Sequence, residues 1–199
     1  METTSSLPAR RGRFGVIART VAVVVVTAAA IGLAAFLVDR PAEGVTGLSL
    51  TGTVADAPPR PGDAPPDFSV TTTDGTVVRL SELKGHPVWL TFGASWCSQC
   101  RAEAPDIEAA YRRHRDRGLV VLAVFQESVD SAADYATRVG LTFSMGVDPD
   151  TRIASAYHVI GIPTHVFIGA DGIVREFLIG GLKPDDIERH LDALLQVGG

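Results

Sequence analysis

The chain has 199 residues, 46% of them apolar, a formal charge of −5 and only two cysteines. An acidic balance argues against a nucleic-acid partner, and two cysteines allow one intrachain bridge at most. No zinc site follows either, because His86, His114 and His165 stand at no metal-ligand spacing from the cysteines.

Arg10, Arg11, Arg13 and Arg19 precede an uncharged run from Thr20 to Val38 that is rich in Val and Ala. Its 19 residues nearly match the hydrocarbon thickness of a bilayer and exceed the usual signal-peptide core. Residues 1–20 carry +3, four Arg against Glu2, so the rest of the chain carries −8. Positive charge stays on the cytoplasmic side, which predicts a cytoplasmic segment 1–19, a transmembrane anchor 20–38 and an extracytoplasmic remainder. A cleaved signal peptide is the rival, with Ala28, Ala30 and Ala35 as small residues near a cleavage point. Residues 39–64 are rich in Gly, Pro, Thr and Ala and bury too little apolar surface to fold, so they form a tether. Residues 65–199 are large enough for one domain with a single core.

Within that domain, Phe68-Ser69-Val70 and Val77-Val78-Arg79-Leu80 flank Asp74-Gly75, a hairpin signal. A buried strand over 87–93 runs into Trp96-Cys97-Ser98-Gln99-Cys100 and a helix from about Ser98 to Arg117, whose Ala104, Ile107 and Tyr111 share one face. Arg112, Arg113, Arg115 and Arg117 at its end complement the helix dipole rather than form a nucleic-acid patch. Pro105, inside the helix, is expected to kink it. Leu119–Phe125 is a continuous apolar run, an interior strand parallel to 87–93. A helix near 131–139 follows, with Ser131 and Asp134 as its capping pair. Next come a strand near 142–147 and a helix near 150–158. Thr164–Ile168 and Ile173–Phe177 bracket a hairpin, and a last helix carries Ile187, Leu191, Leu194 and Leu195 as an apolar stripe.

Cysteines three apart at the first turn of a helix share one side of it, close enough to bond. The unpaired N–H groups and the dipole there favour thiolate at Cys97. A CxxC where a strand hands over to a helix is the local arrangement of thiol–disulfide exchange. Haem attachment does not fit, since Arg101 rather than histidine follows Cys100. The two sulfurs carry the electrons themselves, and no cofactor is implied.

Trp96-Cys97-x-x-Cys100, Pro105 five residues on, and Gly161-Ile162-Pro163-Thr164 ahead of a hairpin resemble a thioredoxin fold: α/β, a central mixed sheet flanked by helices. The N-terminal anchor, the Pro-rich tether and the long segment before Pro163 are similar to the TlpA/ResA-like branch of membrane-tethered oxidoreductases. The resemblance implies that Cys97 is the exposed nucleophile and Cys100 the buried resolving thiol. It implies that Pro163 is a cis-proline whose loop, with Ile162, pairs with the substrate, and that partners are disulfide- or thiol-containing extracytoplasmic proteins. A membrane redox partner would recycle the dithiol, and net reduction of the cytochrome c maturation type is the expected direction.

The chain departs from that pattern in two places. Ser98-Gln99 separates the cysteines where the branch often has proline, and Thr91 stands where thioredoxin has a buried aspartate. Glu127, directly after strand 119–125, lies at the rim to which strand 87–93 delivers the CxxC. It is either an acceptor for the Cys100 proton or a solvated loop glutamate. Trp96 either covers the reactive sulfur or packs at the rim, and His165 lies either near the disulfide or partly buried in a strand. The alternative functions are a peroxide-reducing redoxin, against which Leu90 and Ala94 replace the Pro and Thr of peroxiredoxins, and a non-enzymatic tethered binding or metallochaperone module.

Overall fold

The structure, a computed structural model, describes residues 56–196 together with Val25, Thr27 and Ala28, which are helical. The expected cytoplasmic segment, the rest of the run Thr20–Val38 and the tether as far as residue 55 lie outside the described residues. Among the described residues no helix is long and apolar enough to cross a membrane.

The hairpin β1 (Ser69–Thr71) and β2 (Val77–Arg79) is antiparallel, with Val70 opposite Val78. β3 (Val88–Gly93) leads into α1 (Ser98–His114), and β4 (Val120–Phe125) into α2 (Val129–Val139). β5 (Ser144–Val147) and the short α3 (Arg152–Ala156) precede the hairpin β6 (Thr164–Ile168) and β7 (Val174–Ile179), and α4 (Pro184–Gln196) closes the domain. The five-stranded sheet has the order β5–β4–β3–β6–β7. β3, β4 and β5 run parallel, while β6 and β7 are antiparallel to their neighbours.

β3 and β4 occupy the middle because their apolar runs are buried on both faces. The period of two then sorts their side chains. Val88, Leu90 and Phe92 join Leu122, Val124 and Val166 beneath the β1–β2 hairpin and α3. Trp89 joins Val121, Ala123, Phe125 and Phe167 beneath α1, α2 and α4. That second face is the one on which Cys100 and its neighbours on α1 are buried.

Several boundaries differ from expectation for local reasons. α2 starts at Val129 because Ser128, not Ser131, is its cap: the extended backbone of Ser128 lets its hydroxyl accept from Ser131 N–H at 3.3 Å. α3 is shorter than expected, since Asp148 accepts from the N–H groups of Arg152 and Ala154 and Thr151 sits in the left-handed region at φ 54°. α1 continues through the exposed Pro105 to His114 and ends in a single 3-10 turn. Arg112 and Arg113 pair with Glu108 and Glu188 of the chain itself. At the end of the tether, Gly62 N–H donates to Val174 O, and Val174 N–H to Asp63 O, so these residues lie along the domain.

Candidate active site

β3 ends at Gly93, and Ala94–Trp96 turn the chain so that Cys97 caps α1. Its sulfur accepts from Cys100 N–H at 3.1 Å, and the two cysteines are joined in a disulfide with Cα atoms 5.3 Å apart. A Cβ on Gly93 would lie 3.5 Å from the Cys100 sulfur, an ordinary contact, and 3.1 Å from the Phe125 ring, which would have to give by a few tenths of an ångström. Both cysteines are buried, Cys97 at 8% exposure and Cys100 at 5%. The expected contrast of an exposed and a buried sulfur is therefore slight. What separates the two is their surroundings.

Cys97 lies on the rim, 3.9 Å from Ile162 O, and the Ile162–Pro163 peptide is cis. Ile162 packs against the cysteines with Ala94. Trp96 stands out from the surface at 64% exposure, so it does not lie buried against the sulfur. The structure thus brings Trp96, Cys97, Ile162 and Pro163 to one edge of the domain.

Cys100 faces inward, onto a small cavity lined by Thr91, Gly93, Glu103, Ala104, Ala123 and Phe125. Its volume of about 10 Å³ is near the lower bound for one water molecule. Glu103 is the functional candidate that the sequence reading missed. It is buried at 5% exposure, its Oε2 accepts from Leu182 N–H at 3.0 Å, and its Oε1 stands 3.5 Å from His165 Nε2. The signal was present: Glu103 falls three residues after Cys100, on the same buried stripe as Ala104 and Ile107.

Glu127 is placed differently from the expectation of a Cys100 proton acceptor. Its Oε1 accepts from Ser95 N–H at 2.7 Å and its Oε2 from Ser95 hydroxyl at 2.6 Å. The carboxylate is spent on the loop that delivers Cys97, because β3 and β4 end side by side, Gly93 beside Phe125. His165 is fully buried in β6, more deeply than a partly buried strand histidine. A larger cavity, about 110 Å³, lies at the other end of the sheet around Leu80, Lys84, Val88 and Ile168, away from both sulfurs.

A mixed sheet that delivers a CxxC disulfide to a helix N-terminus beside a cis-proline loop defines a thioredoxin-fold redox protein. Residues 61–177 match the AhpC/TSA family model. Over 134 residues the chain is 35% identical to the thiol-disulfide oxidoreductase ResA of Geobacillus kaustophilus (strain HTA426), covering 67% of this chain and 77% of that protein. The fold is similar to a thioredoxin-family thiol:disulfide interchange protein of Chlorobium tepidum TLS, with TM-score 0.59, 31% identity, and 71% and 99% of the two chains covered. It is also similar to a secreted Mycobacterium tuberculosis disulfide oxidoreductase homologous to E. coli DsbE, with TM-score 0.59, 26% identity, and coverage of 64% and 96%. The chain belongs to the AhpC/TSA family and is a ResA-like thiol–disulfide oxidoreductase.

Proposed function

We propose that this protein reduces disulfides in extracytoplasmic partner proteins, in a role of the cytochrome c maturation type. The observation that carries the reading is the Cys97 sulfur at a helix N-terminus, beside the backbone carbonyl of Ile162 on the rim. Reduced Cys97 attacks the partner's disulfide as thiolate, stabilised by the helix N-terminus, and one partner sulfur leaves as thiolate and takes a proton from water. Cys100 then gives its proton to Glu103, directly or through one water, and its sulfur bonds to Cys97. The electron pair of the mixed disulfide leaves on the partner's second sulfur. The partner gains two electrons and the protein ends as the Cys97–Cys100 disulfide, which an external dithiol at the membrane must reduce again.

In this reading Trp96, Ile162 and Pro163 receive the partner's backbone and side chains around its cysteine. Glu127 positions the loop through Ser95. The N-terminal run Thr20–Val38 anchors the chain with its N-terminus in the cytoplasm, and the tether holds the domain outside. The secreted relative among the similar structures supports that side of the membrane.

The test is turnover of insulin disulfide against turnover of hydrogen peroxide by the full-length protein, with a dithiol donor. Insulin reduction that needs Cys97 supports the reading, and faster peroxide turnover replaces it with a peroxidase. A reduction potential above that of glutathione would turn the direction to oxidation.

A further inference from the structure

His165 is a buried ionisable side chain beside the site to which the exchange reaction above gives no task. It is 0% exposed and sits on β6 directly across from Thr91 of β3, so both side chains face the α1 side of the sheet. Two residues earlier on β3, Trp89 donates its indole N–H to His165 Nδ1 at 3.2 Å. A nitrogen that accepts that N–H must offer a lone pair, so the ring is neutral and its proton is on Nε2. A charged imidazolium would set N–H against N–H there. Nε2 is buried without a hydrogen-bond partner, and Glu103 Oε1 stands 3.5 Å from it, a few tenths of an ångström beyond a good hydrogen bond. Glu103 in turn is held at Oε2 by Leu182 N–H and lines the cavity into which Cys100 faces.

We infer that His165 is a positioning residue for the exchange reaction, aimed by Trp89 so that its Nε2–H stabilises the carboxylate form of Glu103 and readies it to accept the Cys100 proton. This rests on the proton-acceptor role proposed for Glu103. The proton does not travel through His165: it leaves Cys100 Sγ, arrives at a Glu103 oxygen, and His165 keeps its own. With Thr91 unable to accept a proton, the chain reaches a comparable end with a carboxylate on α1 and its donor on β6.

Other charged and titratable groups stand on the elements around Glu103. Arg101 and Cys100 are on its own helix, and the exposed Lys183 follows Leu182 in the lead-in to α4. From α2 comes Tyr135, whose phenol is pushed up by burial, drawn down by Arg101, and pushed up again by Glu103 and Glu127. His190 of α4 lies on the far side of Phe167, stacked on that ring and paired with Glu176. Of these, Leu182 N–H donates to the carboxylate, and His165 Nε2 stands 3.5 Å from its other oxygen.

The experiment mixes the reduced full-length protein with dithiobis(nitrobenzoate) in a stopped-flow instrument. Release of the second aromatic thiolate reports resolution of the Cys97 mixed disulfide by Cys100, across pH 5 to 9. His165→Leu is expected to move the rising limb of that profile upward by up to roughly one pH unit, less than the loss of a full hydrogen bond to a charged group would give. His165→Gln, which keeps a donor, brings the limb part of the way back. Trp89→Phe, which frees the tautomer, moves it upward by less. In the parent, ¹⁵N NMR should place the proton of the neutral His165 ring on Nε2. Superimposable profiles for folded His165→Leu and parent, or a neutral ring protonated at Nδ1, overturn the inference. Should His165→Leu fail to fold, Trp89→Phe and His165→Gln decide on the same criterion. Glu103→Gln separates the two layers. If it abolishes the limb while His165→Leu leaves it in place, only the role of His165 falls. If it leaves the limb in place, the acceptor role of Glu103 falls and this inference with it.

Discussion

Glu127 grips Ser95 with both carboxylate oxygens, taking the backbone N–H on one and the hydroxyl on the other. The grip ties the end of β4 to the turn that carries Cys97, across 32 residues of sequence. Removing it leaves a part-buried N–H and hydroxyl to find water. Glu127→Ala is expected to cost roughly 1–3 kcal/mol and Ser95→Ala less. Urea unfolding of the two single variants and the double should show coupling of roughly 0.5 kcal/mol or more, and strict additivity would mean the grip contributes nothing.

The two carboxylates near the disulfide should separate kinetically. Glu103→Gln is expected to slow resolution of a Cys97 mixed disulfide by roughly ten- to a hundredfold, the low range for lost general-base help. Glu127→Gln should change stability while leaving the shape of the pH profile alone. A lost pH dependence in Glu127→Gln, with a normal one in Glu103→Gln, would hand the proton to Glu127.

Order of attack follows from surroundings more than from exposure. Cys97 opens to the rim beside Ile162, while Cys100 faces Gly93 and Phe125. Cys100→Ala should accumulate mixed disulfides with partner proteins on non-reducing gels, and Cys97→Ala should trap none. Equal alkylation rates for the two thiols of the reduced protein would contradict this order.

Glu108 provides a stability test away from the chemistry. Burial pushes its carboxyl up, but Thr142, through its hydroxyl and N–H, and then Arg112 outweigh that and hold it below the ordinary 4.5. A depressed carboxylate contributes its stability above the unfolded value and loses it as pH falls through the folded one. Glu108→Gln should therefore be less stable than the parent at pH 7, by roughly 1–2 kcal/mol. The gap should narrow once the pH drops below 4.5. A gap that stays constant from pH 7 to pH 3 would assign the loss to packing.

Topology is testable without structure. Arg10 to Arg19 ahead of the apolar run are the basis for the proposed cytoplasmic N-terminus. A reporter enzyme active only in the cytoplasm, fused after Gly199, should be silent. Activity would reverse the orientation, and a shortened chain released from membranes would favour signal cleavage over an anchor.

The sequence by itself determined the strands, the parallel β3–β4 pair and the CxxC at a strand-to-helix turn. Those depend on runs, periods and turn residues that act over a few positions, where apolar spacing and dipole chemistry leave little choice. It also held the clue to Glu103, a carboxylate on the buried stripe of α1, but not which carboxylate faces a sulfur. Only the tertiary structure decided that. The β3–β4 register carries Glu127 to Ser95. The β3–β6 register brings Trp89 to His165 across 76 residues of sequence. Both sulfurs are nearly equally buried because the Ile162–Pro163 loop closes over the rim from a different part of the chain. Such pairings are set by strand register and by the direction of each side chain off its element, and sequence spacing fixes neither until the sheet is assembled.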